Sequence, residues 1–243
     1  MRIKSVLLYL SALVLGTGAA HASGNLVSNG GFETTTNGNN KQLSSSATGA
    51  ADRTTLEGWT SSNGRDGGYN FVLDSSIANT WDSAIWLRGE NNGFGASHNG
   101  GNIFASDADY HPGTLSQTIN GLEVGGSYKL TFEYALAQQT GFEGANNDNY
   151  WQVVFGNTTL NSSLLSIADG GFSGWKTATM TFTATSASQA LSFLAKNAAP
   201  GAPPFLLLDS VSLTSAVPEP AAWGMMAGGI LLLAFLRRRA YRA

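Results

Sequence analysis

The feature that most limits how this 243-residue chain can fold is a two-residue rhythm of apolar side chains, which a strand buried on one face satisfies and a helix does not. Across 127–137, Tyr128, Leu130, Phe132, Tyr134 and Leu136 share one face, while Lys129, Thr131 and Glu133 take the other. In 150–155, Trp151, Val153 and Phe155 alternate with Gln152 and Val154; in 175–185, Ala178, Met180, Phe182 and Ala184 oppose Thr177, Thr179, Thr181 and Thr183. Residues 69–74, 84–88, 114–119, 188–195 and 204–214 read as further strands. Stretches rich in Gly and Asn at 34–55, 61–68, 89–101 and 140–149 read as loops. No convincing amphipathic helix and no repeat of fixed period interrupts them. Many short strands with one polar face each predict an all-β sandwich, and a 42% hydrophobic content supplies its core.

Both ends depart from this pattern. Arg2 and Lys4 precede a mostly apolar stretch from Ser5 to Gly18, and Ala20-His21-Ala22 has the small-x-small form of a cleavage site. Residues 1–22 therefore read as a secretory signal peptide, with the mature chain beginning at Ser23. At the other end, Val217-Pro218-Glu219-Pro220 leads into an apolar segment, 221–236, followed by Arg237, Arg238 and Arg239. As a helix that segment would reach about 24 Å, a little less than a bilayer core of about 30 Å. The arginines would hold the C-terminus in the cytoplasm and leave the body outside. The expected division is signal peptide 1–22, sandwich domain 23–216, and tail 217–243.

Charge and cysteine content narrow the function classes. There is no Cys, which excludes a disulfide scaffold, a thiolate metal site and a Cys nucleophile. Residues 23–216 hold seven basic and 15 acidic side chains, a net −8. Such a body repels phosphates, so nucleic acid is not an expected partner.

The tail resembles the PEP-CTERM sorting signal in its Val217-Pro218-Glu219-Pro220 motif, short transmembrane stretch and basic end. That signal is found on exported proteins of Gram-negative bacteria that make extracellular polysaccharide. The resemblance implies recognition of Pro218, Glu219 and Pro220 by a membrane-embedded exosortase. It further implies transient residence in the inner membrane and a final place at the cell surface or outside the cell.

The body resembles the galactose-binding-like jelly roll of carbohydrate-binding modules in the order of its landmarks. These are Asn25 to Glu33, Gly58-Trp59, Leu115 to Ile119, Tyr128 to Phe132, Gly174-Trp175, Phe182 to Ala184 and Leu208 to Leu213. The resemblance implies two packed antiparallel sheets with the first and last strands side by side. Many members carry a structural calcium near that junction and many bind glycans, although fold alone does not decide function.

Catalytic signatures are scarce. The mature chain keeps His98 and His111, both in polar loop sequence. Neither a Gly-x-Ser-x-Gly elbow, a His-Glu-x-x-His pair nor a phosphate-binding Gly-rich loop is present. Acids are scattered singly in turns, so a glycosidase pair would have to be assembled by the fold. The chain reads as non-enzymatic. Aromatic residues offer a better lead, because sugars present flat apolar faces to stacking rings. Trp81, Trp86 and Tyr110 are interleaved with Asp82, Arg88, Glu90, Asn91 and Asn92. Trp81, Trp86, Arg88 and Tyr110 are thus the candidate glycan contacts, against the alternative that large aromatics belong to the core. Trp59, Trp151 and Trp175 fit core or edge positions. The threonine row at 177–183 resembles a hydroxyl ladder that could match ordered water, but one row is narrow and Thr is a good solvent-facing strand residue.

For calcium, the candidates are Glu33 and Asp209. Asp209 shares strand parity with Leu207, Val211 and Leu213, which aims its carboxylate toward the core, where an unpaired charge is costly. Glu33 follows Phe32 with no basic partner nearby. The alternative is that Asp209 accepts backbone N–H bonds at a bulge and Glu33 is solvated.

Overall fold

The computed structural model describes residues 24–47, 49–198 and 203–216. The signal peptide, the Val217–Pro220 motif, the 221–236 span and the arginine cluster lie outside the described residues. Among those described there is no helix. Strands run β1 (Lys41–Leu43), β2 (Arg53–Thr54), β3 (Thr60–Ser62), β4 (Asn70–Asp74), β5 (Asn102–Asp107), β6 (Thr114–Asn120) and β7 (Ser127–Gln138). They continue as β8 (Asn146–Phe155), β9 (Thr158–Asn161), β10 (Leu165–Ile167), β11 (Lys176–Thr183), β12 (Ser188–Asn197) and β13 (Pro204–Ser215). One sheet has the order β11-β7-β13-β5-β4-β1-β2. The other has the order β10-β8-β12-β6-β3, with β9 also on β8. The pairing is antiparallel except between β1 and β2. This is the expected all-β jelly-roll sandwich.

The alternating faces of β6, β7, β8, β11 and β12 meet between the sheets. Trp151 anchors this core, with ring centroids 5.8 Å from Phe104 and 6.3 Å from Phe193. Its indole N–H crosses the sandwich to donate to the Leu207 carbonyl at 3.1 Å. Phe32 joins from the N-terminal segment, 5.8 Å from both Trp59 and Phe104.

The first described residues lie against the last strand, as the jelly-roll resemblance implies. The Leu26 amide donates to the Leu213 carbonyl at 2.8 Å, and the Val211 amide to the Gly30 carbonyl at 2.9 Å. The approach is so close that a Cβ on Gly30 would sit 2.0 Å from the Val211 oxygen, so only glycine fits there.

Three readings of the sequence change. Residues 84–88 alternate but are not a strand; Leu87 makes a single bridge to Gln139. Strand β5 was not legible, because all six of its residues are buried and no alternation marks it. The loops expected at 34–55 and 140–149 contain β1, β2 and the start of β8.

The first two changes share a cause. The outer face of the seven-stranded sheet is not solvated along its whole length. A second apolar cluster forms on it, in which Ala78, Ile85 and Leu87 cover Leu73, Ile103, Ala105, Ala135, Ala137 and Leu207. The covering segment is a run of turns stitched to the end of β7: Arg88 N–H donates to the Gln138 carbonyl and Thr140 N–H to that of Trp86. Leu87→Ala is expected to destabilise the fold by about 2–4 kcal/mol despite lying outside any strand. Val124→Ala, at a position 64% exposed, should change stability by less than about 0.5 kcal/mol. Urea unfolding of the two variants checks this.

Candidate functional site

The covering segment also builds a cleft. Its alternation puts Ile85 and Leu87 down against the sheet and leaves Trp86 and Arg88 facing outward. Asn79, Trp86, Arg88, Glu90, Thr140 and Asp169, with Gly89 and Gly170, line an open cleft of about 570 Å³. Trp86 is 45% exposed, and its indole N–H is held by the Asn79 carbonyl at 3.1 Å. One ring edge is therefore fixed while part of the apolar face meets solvent.

The walls are tied from behind. The Asn92 amide donates to the carbonyls of Arg88 and Gly170, both at 2.9 Å. Buried Gln138 accepts the Gly170 N–H and donates to the Phe142 carbonyl. Arg88 lies 3.7 Å from the Asp169 carboxylate, which also accepts the Gly144 N–H. A ring-shaped, hydroxyl-rich ligand would find an aromatic face, a guanidinium, two carboxylates and an amide within one cleft. The 140–149 stretch, read from the sequence as a loop, contributes Thr140.

The four candidate glycan contacts do not converge. Trp86 and Arg88 share the cleft. Trp81 is 77% exposed at a turn on the β1 side, where Asn40 donates to the Asp82 carbonyl and accepts the Ala84 N–H. Tyr110, 57% exposed, lies elsewhere, stacked edge-on against Tyr69 and His111. Trp59 and Trp151 are buried, and half-buried Trp175 donates to the Gly95 carbonyl at 2.8 Å.

The two calcium candidates occupy one neighbourhood, reached differently from the parity argument. β13 carries a bulge between Asp209 and Ser212, and Ser210 has φ 55°. Leu206 and Leu208 face the inter-sheet core and Leu207 the outer cluster; after the bulge, Val211 and Leu213 face the inter-sheet core. Parity thus breaks at the bulge. Asp209 belongs with Leu207 on the outer side, buried under residues 97–99. Its carboxylate accepts the Ser97 hydroxyl and the Ser210 N–H, the latter at 2.6 Å. Glu133, which alternation assigned to a solvated face, stands directly across the ladder from Asp209 and is buried. It accepts the His98 backbone N–H at 3.2 Å and the Ser210 hydroxyl at 3.1 Å, and pairs with the His98 ring. Glu33 is exposed and accepts the Asn102 N–H at 2.9 Å.

Burial pushes the Asp209 carboxyl up to about 6, against the hydrogen bonds from Ser97 and Ser210 and with help from the charges of Glu133 and Glu33. Among the described residues no Lys or Arg pairs with any of these three acids. No group of three His, Asp or Glu side chains among them is gathered as a metal site.

No family model matches the sequence, and no curated protein matches it. Solved structures similar to the chain include a carbohydrate-binding module, TmCBM61, in complex with β-1,4-galactotriose. It shows 15% identity and a TM-score of 0.42, over 78% of this chain and 97% of that one. The CBM22-1 xylan-binding domain from Paenibacillus barcinonensis is similar at 13% identity and a TM-score of 0.39, over 82% and 99%. The enzymatically active domain of a tailspike protein from Bacteriophage CBA120 is similar at 12% identity and a TM-score of 0.39. That match covers 79% of this chain and 21% of the tailspike domain, so the chain spans about a fifth of it.

Proposed function

We propose that the protein is an exported, non-catalytic module that associates with extracellular polysaccharide through the cleft around Trp86 and Arg88. The observation that carries this reading is a half-exposed indole, its polar edge tied down, set among side chains that can bond hydroxyls. An aromatic face in such a setting stacks on a sugar ring while the surrounding groups select its hydroxyls. Trp86→Ala should weaken retention on polysaccharide by at least about tenfold, equivalent to about 1.4 kcal/mol, with cooperative unfolding preserved. Affinity electrophoresis with and without the substitution measures it, alongside an assay for newly released reducing ends, which should stay at background. Equal retention of the two proteins would remove the cleft from the reading, and retention of neither would favour a matrix protein without a specific ligand. Release of reducing ends would favour a hydrolase built on Glu90 and Asp169, the two carboxylates in the cleft.

The two ends of the sequence supply the destination. The 1–22 leader directs export, and the Pro218-Glu219-Pro220 motif with the 221–236 span and Arg237–Arg239 is the exosortase address. Replacing Pro218, Glu219 and Pro220 by alanine should leave export intact and hold the protein in the inner membrane with its tail attached. Fractionation and mass measurement report this, and normal surface arrival at normal mass would contradict it.

A structural calcium ion is the third part of the proposal. The carboxylates and hydroxyls near the bulge are oxygen donors with lone pairs to spare and no Lys or Arg partner, His98 being the one basic ring beside them, which fits a hard cation. Glu33 and Asp209 would hold it, with Glu133 nearby and the remaining ligands drawn from backbone carbonyls or water. When bound, the ion offsets the mutual repulsion of the acids. Without it, Asp209 titrates near 6 when folded and near 4 when unfolded, so the folded state holds its proton more tightly. The contribution of this group to stability is then greatest below pH 4, falls between about pH 4 and 6, and levels off above; two pKa units correspond to roughly 3 kcal/mol. Melting temperatures should follow that profile in EDTA and rise with free calcium at pH 7. Asp209→Asn should flatten both dependences. Equal melting in calcium and in EDTA would remove the ion from the account.

A further inference from the structure

A second groove lies on the β1 and β4 side of the seven-stranded sheet. Two adjoining clefts of about 460 and 400 Å³ share Gln42 and Tyr69 in their walls. Lys41 and Arg53 line the first, Arg65, Tyr110 and His111 the second. Three of the seven basic residues in 23–216 are thus collected along one groove, on a body that is otherwise net acidic. The acids beside it are engaged locally. Asp52 pairs with Arg53 at 2.6 Å, Asp66 accepts the Gly68 N–H at 2.8 Å, and Asp107 accepts the N–H groups of Asp109 and Tyr110. Arg65 is exposed and makes no ion pair among the described residues.

The aromatic wall is built in. Tyr69 and Tyr110 meet edge to face with centroids 5.1 Å apart, and Tyr110 meets His111 at 4.4 Å. Two loops are pressed together to bring them there. The Tyr69 N–H donates to the His111 carbonyl at 2.8 Å, His111 sits at φ 46°, and a Cβ on Gly68 would come within 2.6 Å of Gly113. A non-glycine residue in the left-handed region is strained, and such positions concentrate where a site is held in shape.

We propose that this groove is a second glycan subsite, distinct from the Trp86 cleft, that takes an acidic sugar by stacking on Tyr110 and pairing its carboxylate with Arg65. The inference rests on the reading of the protein as a glycan binder and adds the chemical class of the ligand. A guanidinium matches a carboxylate with two parallel hydrogen bonds, and the face of an aromatic ring suits the flat apolar face of a pyranose.

The test uses the purified protein and two polymers, polygalacturonate and neutral galactan, each at low and high salt. Wild type should retain polygalacturonate and lose most of that retention between about 50 and 500 mM salt, as screening requires, whereas galactan retention should hold. Arg65→Glu, at an exposed turn, should weaken polygalacturonate by at least about tenfold and leave galactan unchanged. Tyr110→Ala should act in the same direction, and Trp86→Ala should weaken galactan. Retention of galactan without polygalacturonate would overturn the acidic subsite and leave the glycan reading standing. Retention of neither would overturn both. Polygalacturonate binding that ignores both Arg65→Glu and salt would also overturn the subsite.

Discussion

The structure depends on how β13 divides its hydrogen bonds. One edge of the strand pairs with β7 along nearly its whole length. The other edge serves β5 from Phe205 to Leu208 and then the N-terminal segment from Val211 to Leu213. A single regular strand could not align with both partners. The bulge at Asp209–Ser210 re-aims the backbone between them, and it sets which side chains point where. Because of it, Leu206, Leu208, Val211 and Leu213 all reach the inter-sheet core although their spacing is not even. Asp209 is left on the opposite side, opposed to Glu133 across the ladder. Like charges directly opposite each other destabilise a sheet, and the Ser97, Ser210 and His98 contacts answer that repulsion.

How much of this was legible follows from which faces water reaches. β6, β11 and β12 have one dry and one wet face, so alternation located them to within a residue or two. The alternation also indicated the sandwich class, and the jelly-roll resemblance implied the proximity of the first residues to the last strand. β5, the first half of β13 and the distal half of β7 are dry on both faces, and such strands carry no period-2 signal. The covering segment misled for the opposite reason. Ile85 and Leu87 alternate with Trp86 and Arg88 as in a strand, because one side packs on a sheet, but the backbone makes only a single bridge.

The cleft was half legible for the same reason. Trp86 and Arg88 lie two residues apart in an alternating run, so sequence places them on one side together. Asn79 and Thr140 meet Trp86 through the indole and backbone bonds of that residue, and Asp169 is brought beside Arg88 by Gln138 and Asn92, which bond its neighbour Gly170; no local pattern announces these contacts. Tyr110 and Trp81 were grouped with Trp86 by nearness along the chain, yet β4, β5 and the covering turns carry them to different parts of the surface. Glu133 was passed over because its neighbours in β7 read as polar and exposed. Nothing in the local sequence shows that residues 97–99 lie over it.

The position of β13 bears on how the chain assembles. It is the last strand among the described residues and the third in its sheet, between β7 and β5. Before residues 204–215 are available, that sheet exists only as two separate fragments, β11–β7 and β5–β4–β1–β2. Along their facing edges the backbone N–H and C=O groups have no partner strand. Closure is therefore a late, long-range event that joins the beginning of the body to its end, the kind of contact that slows folding. A chain of this design leaves its larger sheet open until β13 has been made, so that sheet takes its shape in a single closing step that cannot begin from either fragment alone.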